Sequence, residues 1–128
     1  MNTNNKEKEL LYLQIFGSII FIITISVSII LTINNIENMN YKKPILNKKQ
    51  ENNISLTNRL IITTVATIFT YISYEFYQKS KSSKNKDISK KELIASVFAL
   101  ISSLILLHTT IENIKRKITN ADINIPII

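Results

Sequence analysis

Charged and uncharged residues are sorted into blocks along this chain. Residues 10–33, LLYLQIFGSIIFIITISVSIILTI, carry no charge. As a helix rising 1.5 Å per residue this run is about 36 Å long, enough to cross a hydrocarbon core of about 30 Å with some tilt. Residues 60–74, LIITTVATIFTYISY, form a second uncharged run, which extends to residue 78 if Glu75 lies at the membrane interface. Residues 93–111, LIASVFALISSLILLHTTI, form the third, with His108 near the end. A soluble three-helix bundle would place a charge every third or fourth position to make a wet face, and none appears inside these runs. Isoleucine favours strands, but a lone strand cannot satisfy its backbone in a bilayer, so helix is the state open to three separate runs. The pattern predicts an all-α integral membrane protein, its three transmembrane helices packed as a small bundle. Residues 10–33, 60–78 and 93–111 are the spans. They are separated by a charged tail (1–9), a polar loop (34–59), a basic loop (79–92) and a C-terminal tail (112–128).

Helix-start signals fall near these boundaries. Ser89 and Glu92 have the S-x-x-E spacing of a capping box before the third span, and Asn4 to Glu7 form a weaker version before the first. Ser55, Thr57 and Asn58 offer caps before the second. The first run exceeds the usual apolar core of a signal peptide, and no A-x-A site follows it, so it is expected to be retained. Pro44 and the polar residues around it predict an irregular first loop.

Each span carries a stripe of small and polar residues at helical spacing. Gln14, Gly17, Ser18, Phe21, Thr24, Ser28 and Thr32 fall within about 120° of one another on the first helix. Thr63, Thr67, Thr70, Tyr71, Tyr74 and Gln78 do so on the second. Ala95, Ala99, Ser102, Ser103, Leu106, Thr109, Thr110 and Asn113 do so on the third. Small residues let backbones approach and hydroxyls bond across an interface, so the three stripes are expected to face one another. Gly17, Ser18, Thr24, Ser28, Thr63, Thr67, Thr70, Ala95, Ala99 and Ser102 are the packing candidates, and Ser102→Leu is expected to disrupt assembly. A path for ions would place a charged or titratable side chain in mid-span, which these stripes lack.

Composition adds location. The 128 residues include 27 Ile, 15 Asn and 14 Lys, a bias towards A/T-rich codons, and no Cys, which excludes disulfides, thiolate metal sites and cysteine nucleophiles. A single Gly excludes phosphate-cradling glycine loops. All 16 Lys and Arg lie outside the spans, which hold Glu75 as their only formal charge. Lys79, Lys81, Lys84, Lys86, Lys90 and Lys91 crowd the second loop, where attraction to anionic lipid headgroups explains them at about 1 kcal/mol per residue. Aromatic or Arg residues for nucleic-acid contact are not interleaved with them. With three spans, Lys and Arg divide eight against eight between the two sides. The positive-inside rule therefore rests on the density of this cluster, which favours a cytoplasmic N-terminus at the cell membrane.

Candidate chemistry is sparse. Tyr71, Tyr74 and Tyr77 at the end of the second span are expected to anchor it at headgroup level, with Glu75 paired to Lys79 at i, i+4. His108 and Glu112 share a helical face, but a metal site needs at least three ligands in most cases, so His108 is read as an interfacial anchor. No carboxylate pair is brought together by spacing, and the sequence does not place the single His against any of the abundant Ser and Thr hydroxyls. No enzyme activity, metal, cofactor or small-molecule substrate is expected. The tail TNADINIPII is expected to rest on the membrane or a partner. Function is expected through helix–helix contact, as a homo-oligomer or an accessory subunit of a membrane complex. In size, three spans and Lys-rich flanks the chain resembles the phage holins, a likeness that implies a pore-forming alternative.

Overall fold

The computed structural model describes residues 3–40, 46–81 and 84–119, with side chains from residue 5 to residue 116. It is all-helical: α1 spans Thr3–Met39, α2 Lys48–Ser80 and α3 Lys86–Thr119. At 37, 33 and 34 residues these helices are about 50 to 55 Å long, and each contains a stretch long and apolar enough to cross a membrane.

The helices overrun the uncharged runs. Most of the first loop, expected to be irregular, is helical, and the start of α2 lies well upstream of the caps expected from sequence. Asn47 is its N-cap: its side chain accepts from the Gln50 backbone N–H at 2.8 Å, and Gln50 Oε1 accepts from the Asn47 N–H at 3.1 Å. This reciprocal box satisfies two otherwise orphaned donors. Ser55, Thr57 and Asn58 are therefore interior helix residues. Ser89 is not a cap either, because its N–H already donates to the Asn85 carbonyl at 3.0 Å inside the first turn of α3. Asn4 lies within α1.

Packing follows a seven-residue period. Leu10, Gly17, Thr24 and Leu31 are buried at intervals of seven on α1, with half-buried Leu13, Ile20 and Val27 between them and buried Asn34 following. The matching residues of α2 are Glu51, Ser55, Asn58, Val65 and Ile72, all buried, with half-buried Ile62, Phe69 and Phe76. This a/d spacing keeps a seam facing its partner over many turns. A second seam joins α2 to α3. Ser89, Ser96, Ser103 and Thr110 recur every seven residues on α3, alternating with Leu93, Leu100, Leu107 and Ile114.

Helix α2 touches both neighbours, whereas α1 and α3 make no contact with each other among the described residues. The expected meeting of three stripes at one core does not occur within the chain. The reason lies on α2, whose two seams are separated by roughly 90° around the axis, too wide for its neighbours to close on each other.

Among the described residues the interior is more polar than the exterior. The buried hydrophobic residues are Leu10, Leu31, Val65 and Ile72, against nine buried polar ones that include Thr24, Asn34, Glu51 and Asn58. Large aliphatic and aromatic side chains cover the outside, with Ile22 63%, Phe98 65% and Ile105 61% exposed. Such a distribution is the reverse of a water-soluble core.

Candidate functional site

At the α1–α2 turn the two helices are joined by side chains that the uncharged runs exclude. Asn34, one residue past the first run, is fully buried. Its Oδ1 accepts from the Leu46 N–H at 2.8 Å, and its Nδ2 donates to the Leu46 carbonyl and to Glu51 Oε2, each at 3.3 Å. The amide therefore holds the incoming chain and the first turns of α2 against the end of α1. Glu51 is 0% exposed. Its second oxygen, Oε1, and the buried Ser55 hydroxyl have no hydrogen-bond partner among the described residues.

Two turns deeper, Asn58 Nδ2 donates to the Thr24 carbonyl and to Ser28 Oγ, both at 3.1 Å, while Ser28 Oγ itself donates to the Thr24 carbonyl at 3.1 Å. One amide thus uses both its hydrogens across the seam. Further along, Gly17 provides close approach: a Cβ there would lie 3.0 Å from Phe69 Cε1. Phe69 fills the space that a side chain at residue 17 would need.

The α2–α3 seam uses hydroxyls. Ser73 and Ser96 hydroxyls are 2.8 Å apart. Thr70 Oγ1 donates within its own helix to Ala66 at 2.8 Å and leans towards the Ser96 carbonyl at 3.2 Å. Thr63 repeats the pattern with Arg59 at 3.0 Å and Ser103 at 3.5 Å. One proton cannot serve two acceptors fully, so the shorter intrahelical bond dominates each.

At the opposite end, ion pairs link α1 to α2. Lys6 Nζ lies 2.8 Å from Glu75 Oε2, and Lys79 Nζ lies 3.9 Å from Glu7 Oε1. Glu75, expected to pair with Lys79 along its own helix, instead bonds across the seam because the antiparallel register brings Lys6 alongside. Hydrogen bonding to Glu75, reinforced by its negative charge, holds the Lys6 ammonium above its ordinary pKa.

The remaining sequence-derived positions are distributed as follows. Gly17 and Thr24 are buried, Ser28 is half-buried and Ser18 is exposed on α1. Thr63 and Thr70 face α3, while Thr67 is exposed. On α3, Ala95, Ala99 and Ser102 are exposed, and the face that meets α2 lies one residue further on, at Ser96 and Ser103. The shift is 100° of helix rotation. Tyr71 and Tyr74 are exposed, and Tyr77 is half-buried with Lys81 Nζ 5.8 Å from its ring centre. Lys81, Lys84, Lys86, Lys90 and Lys91 are exposed, whereas Lys79 turns inwards to Glu7. His108 Nε2 lies 3.3 Å from Glu112 Oε1 on an exposed face. Among the described residues no three His, Cys, Asp or Glu side chains gather as a metal site would require. The tail expected to rest on the membrane, residues 119–128, lies outside the described residues apart from the helical backbone of Thr119.

Sequence reasoning missed Asn34, Glu51 and Ser55 as interior groups and took Asn58 for a cap. A signal was present: positions 51, 55, 58, 62, 65, 69 and 72 keep alternate spacings of four and three straight through the polar-to-apolar boundary.

Compared with known proteins, the chain matches no family model, no curated protein and no solved structure.

Proposed function

We propose that this chain is a small multi-pass protein of the cell membrane that acts through helix–helix contact, as a homo-oligomer or as an accessory subunit of a membrane complex. The observation that carries this reading is the inverted distribution of polarity. Amides and hydroxyls lie in the seams, while Ile, Leu and Phe cover the outer faces of α1 and α3. Lipid is the solvent that such an exterior matches, and interhelical hydrogen bonds with close packing are the forces that hold helices together in it.

The antiparallel register puts the N-terminus of α1, the C-terminus of α2 and the N-terminus of α3 at one end. Lys6, Lys8 and the six lysines of residues 79–91 therefore share an end. We assign this end to the cytoplasmic, anionic leaflet. Tyr71, Tyr74 and Tyr77 near the same end fit an interfacial girdle.

In-membrane cross-linking with identification of the captured chain tests the reading. Capture of a second copy or of a constant membrane partner is expected, and the protein should stay in the membrane pellet through an alkaline wash. Recovery in the soluble fraction would overturn it. Abrupt collapse of membrane potential on controlled over-expression would instead favour the pore-forming alternative.

A further inference from the structure

Helix α2 has a third face with the same seven-residue period as its two seams, and nothing among the described residues covers it. Between residues 52 and 78 the exposed positions are 53, 57, 60, 61, 64, 67, 71 and 74. With residue 61 set aside, their spacings alternate four and three. The face consists of Asn53, Thr57, Thr64, Thr67, Tyr71 and Tyr74, interrupted by Leu60. Exposed positions of α1 and α3 are mainly Ile, Leu and Phe, which lipid accommodates. On α2 the exterior instead mixes Leu60 and Ile61 with hydroxyls and an amide, the chemistry of the seams. Thr64 and Thr67 donate to the carbonyls of Leu60 and Thr63, each at 2.9 Å, which leaves their oxygens able to accept from a neighbour.

We propose that this face docks against the same face of α2 in a second copy of the chain, with the two α2 helices parallel about an axis normal to the membrane. This rests on the reading of the chain as a membrane protein acting through helix–helix contact. Three observations select a second copy. The face carries no formal charge, so like meets like without repulsion. Asn53, Thr57, Tyr71 and Tyr74 can both donate and accept, and Thr64 and Thr67 can accept, so the surface is complementary to itself, as a two-fold interface requires. Copies inserted with one topology present α2 in the same direction, so each residue meets its own equivalent, and Asn53 near one end sets the register as a polar seam residue does. The face lies away from α1 and to the side of α3, so a further helix reaches it without displacing either.

Because the chain has no Cys, single-cysteine variants of the full-length protein report the contact directly. In oxidised native membranes Leu60→Cys, Thr64→Cys and Thr67→Cys are expected to form disulfide dimers several-fold faster than Ile61→Cys, Ile22→Cys on α1 and Ile105→Cys on α3. All six sites are exposed, so substitution leaves the intrachain seams intact. Equal rates at all six, no dimer at any, or a cross-link of the α2 face to a chain of different mass would overturn the proposal. Dimers through Ile22 or Ile105 alone would overturn this face while leaving helix–helix association standing. Recovery of the variants outside the membrane fraction would remove the underlying reading as well.

Discussion

Asn58 of α2 donates to the backbone carbonyl of Thr24, 34 residues away, at 3.1 Å. The same amide nitrogen holds Ser28 Oγ, so a single side chain supplies two interhelical bonds in the middle of the α1–α2 seam. Replacing it by a similarly sized apolar residue, Asn58→Leu, removes both. Such bonds average about 0.6 kcal/mol each within membranes. A loss of roughly 1 to 2 kcal/mol in helix association is expected, measured by reversible unfolding in detergent or lipid, with helix content of the folded state unchanged.

Removing the Asn34 side chain strips Glu51 of a donor to a fully buried carboxylate and releases both bonds to Leu46. Asn34→Ala is expected to cost roughly 1 to 3 kcal/mol, the penalty for leaving a buried polar group unsatisfied. Glu51→Gln keeps the shape and an oxygen that can accept from Asn34, and should cost less than Asn34→Ala. Unfolding measurements on the two variants check the order, and a larger loss for Glu51→Gln would contradict it.

The rotation of α3 is tested by adjacent serines. Ser103 is buried against α2 and Ser102 is exposed. Ser103→Leu forces extra volume into a packed seam, with an expected cost of about 1 to 3 kcal/mol, and Ser102→Leu should leave intrachain stability within roughly 0.5 kcal/mol. Equal effects in unfolding would mean that α3 presents a different face to α2.

Glu75 raises the Lys6 pKa, and the sign of the linkage follows. The folded state binds the lysine proton more tightly than the unfolded chain, so the stabilising contribution is fully present below the unfolded pKa and is lost as pH rises through the folded one. The Lys6–Glu75 coupling in a double-mutant cycle should therefore persist at neutral pH and be lost as alkali deprotonates Lys6. It should also weaken with salt, because Lys6 is substantially exposed.

Three helices were legible in the sequence because an uncharged run long enough to cross a bilayer has only one way to satisfy its backbone there. Their ends were less legible. The capping box at Asn47 and Gln50 lies upstream of the apolar run, among residues whose polarity reads as loop, and the Ser89–Glu92 spacing imitates a cap inside a helix. The packing face of α3 was ambiguous for a geometric reason. Ala95, Ala99 and Ser102 form as regular a stripe as Ser96, Ser103 and Thr110, and a one-dimensional pattern does not say which of two neighbouring stripes meets a partner.

What the sequence determined by itself was the number of helices, the apolar character of their spans and the confinement of Lys and Arg outside the uncharged runs, because each depends on local composition and length. Only the tertiary structure decided that α2 stands between α1 and α3, that Lys6 pairs with Glu75, and that Asn34, Glu51 and Asn58 are interior. Those outcomes depend on the register between antiparallel helices and their rotation about their own axes. Both are set by which side chains interlock across a seam, as where Phe69 closes over Gly17.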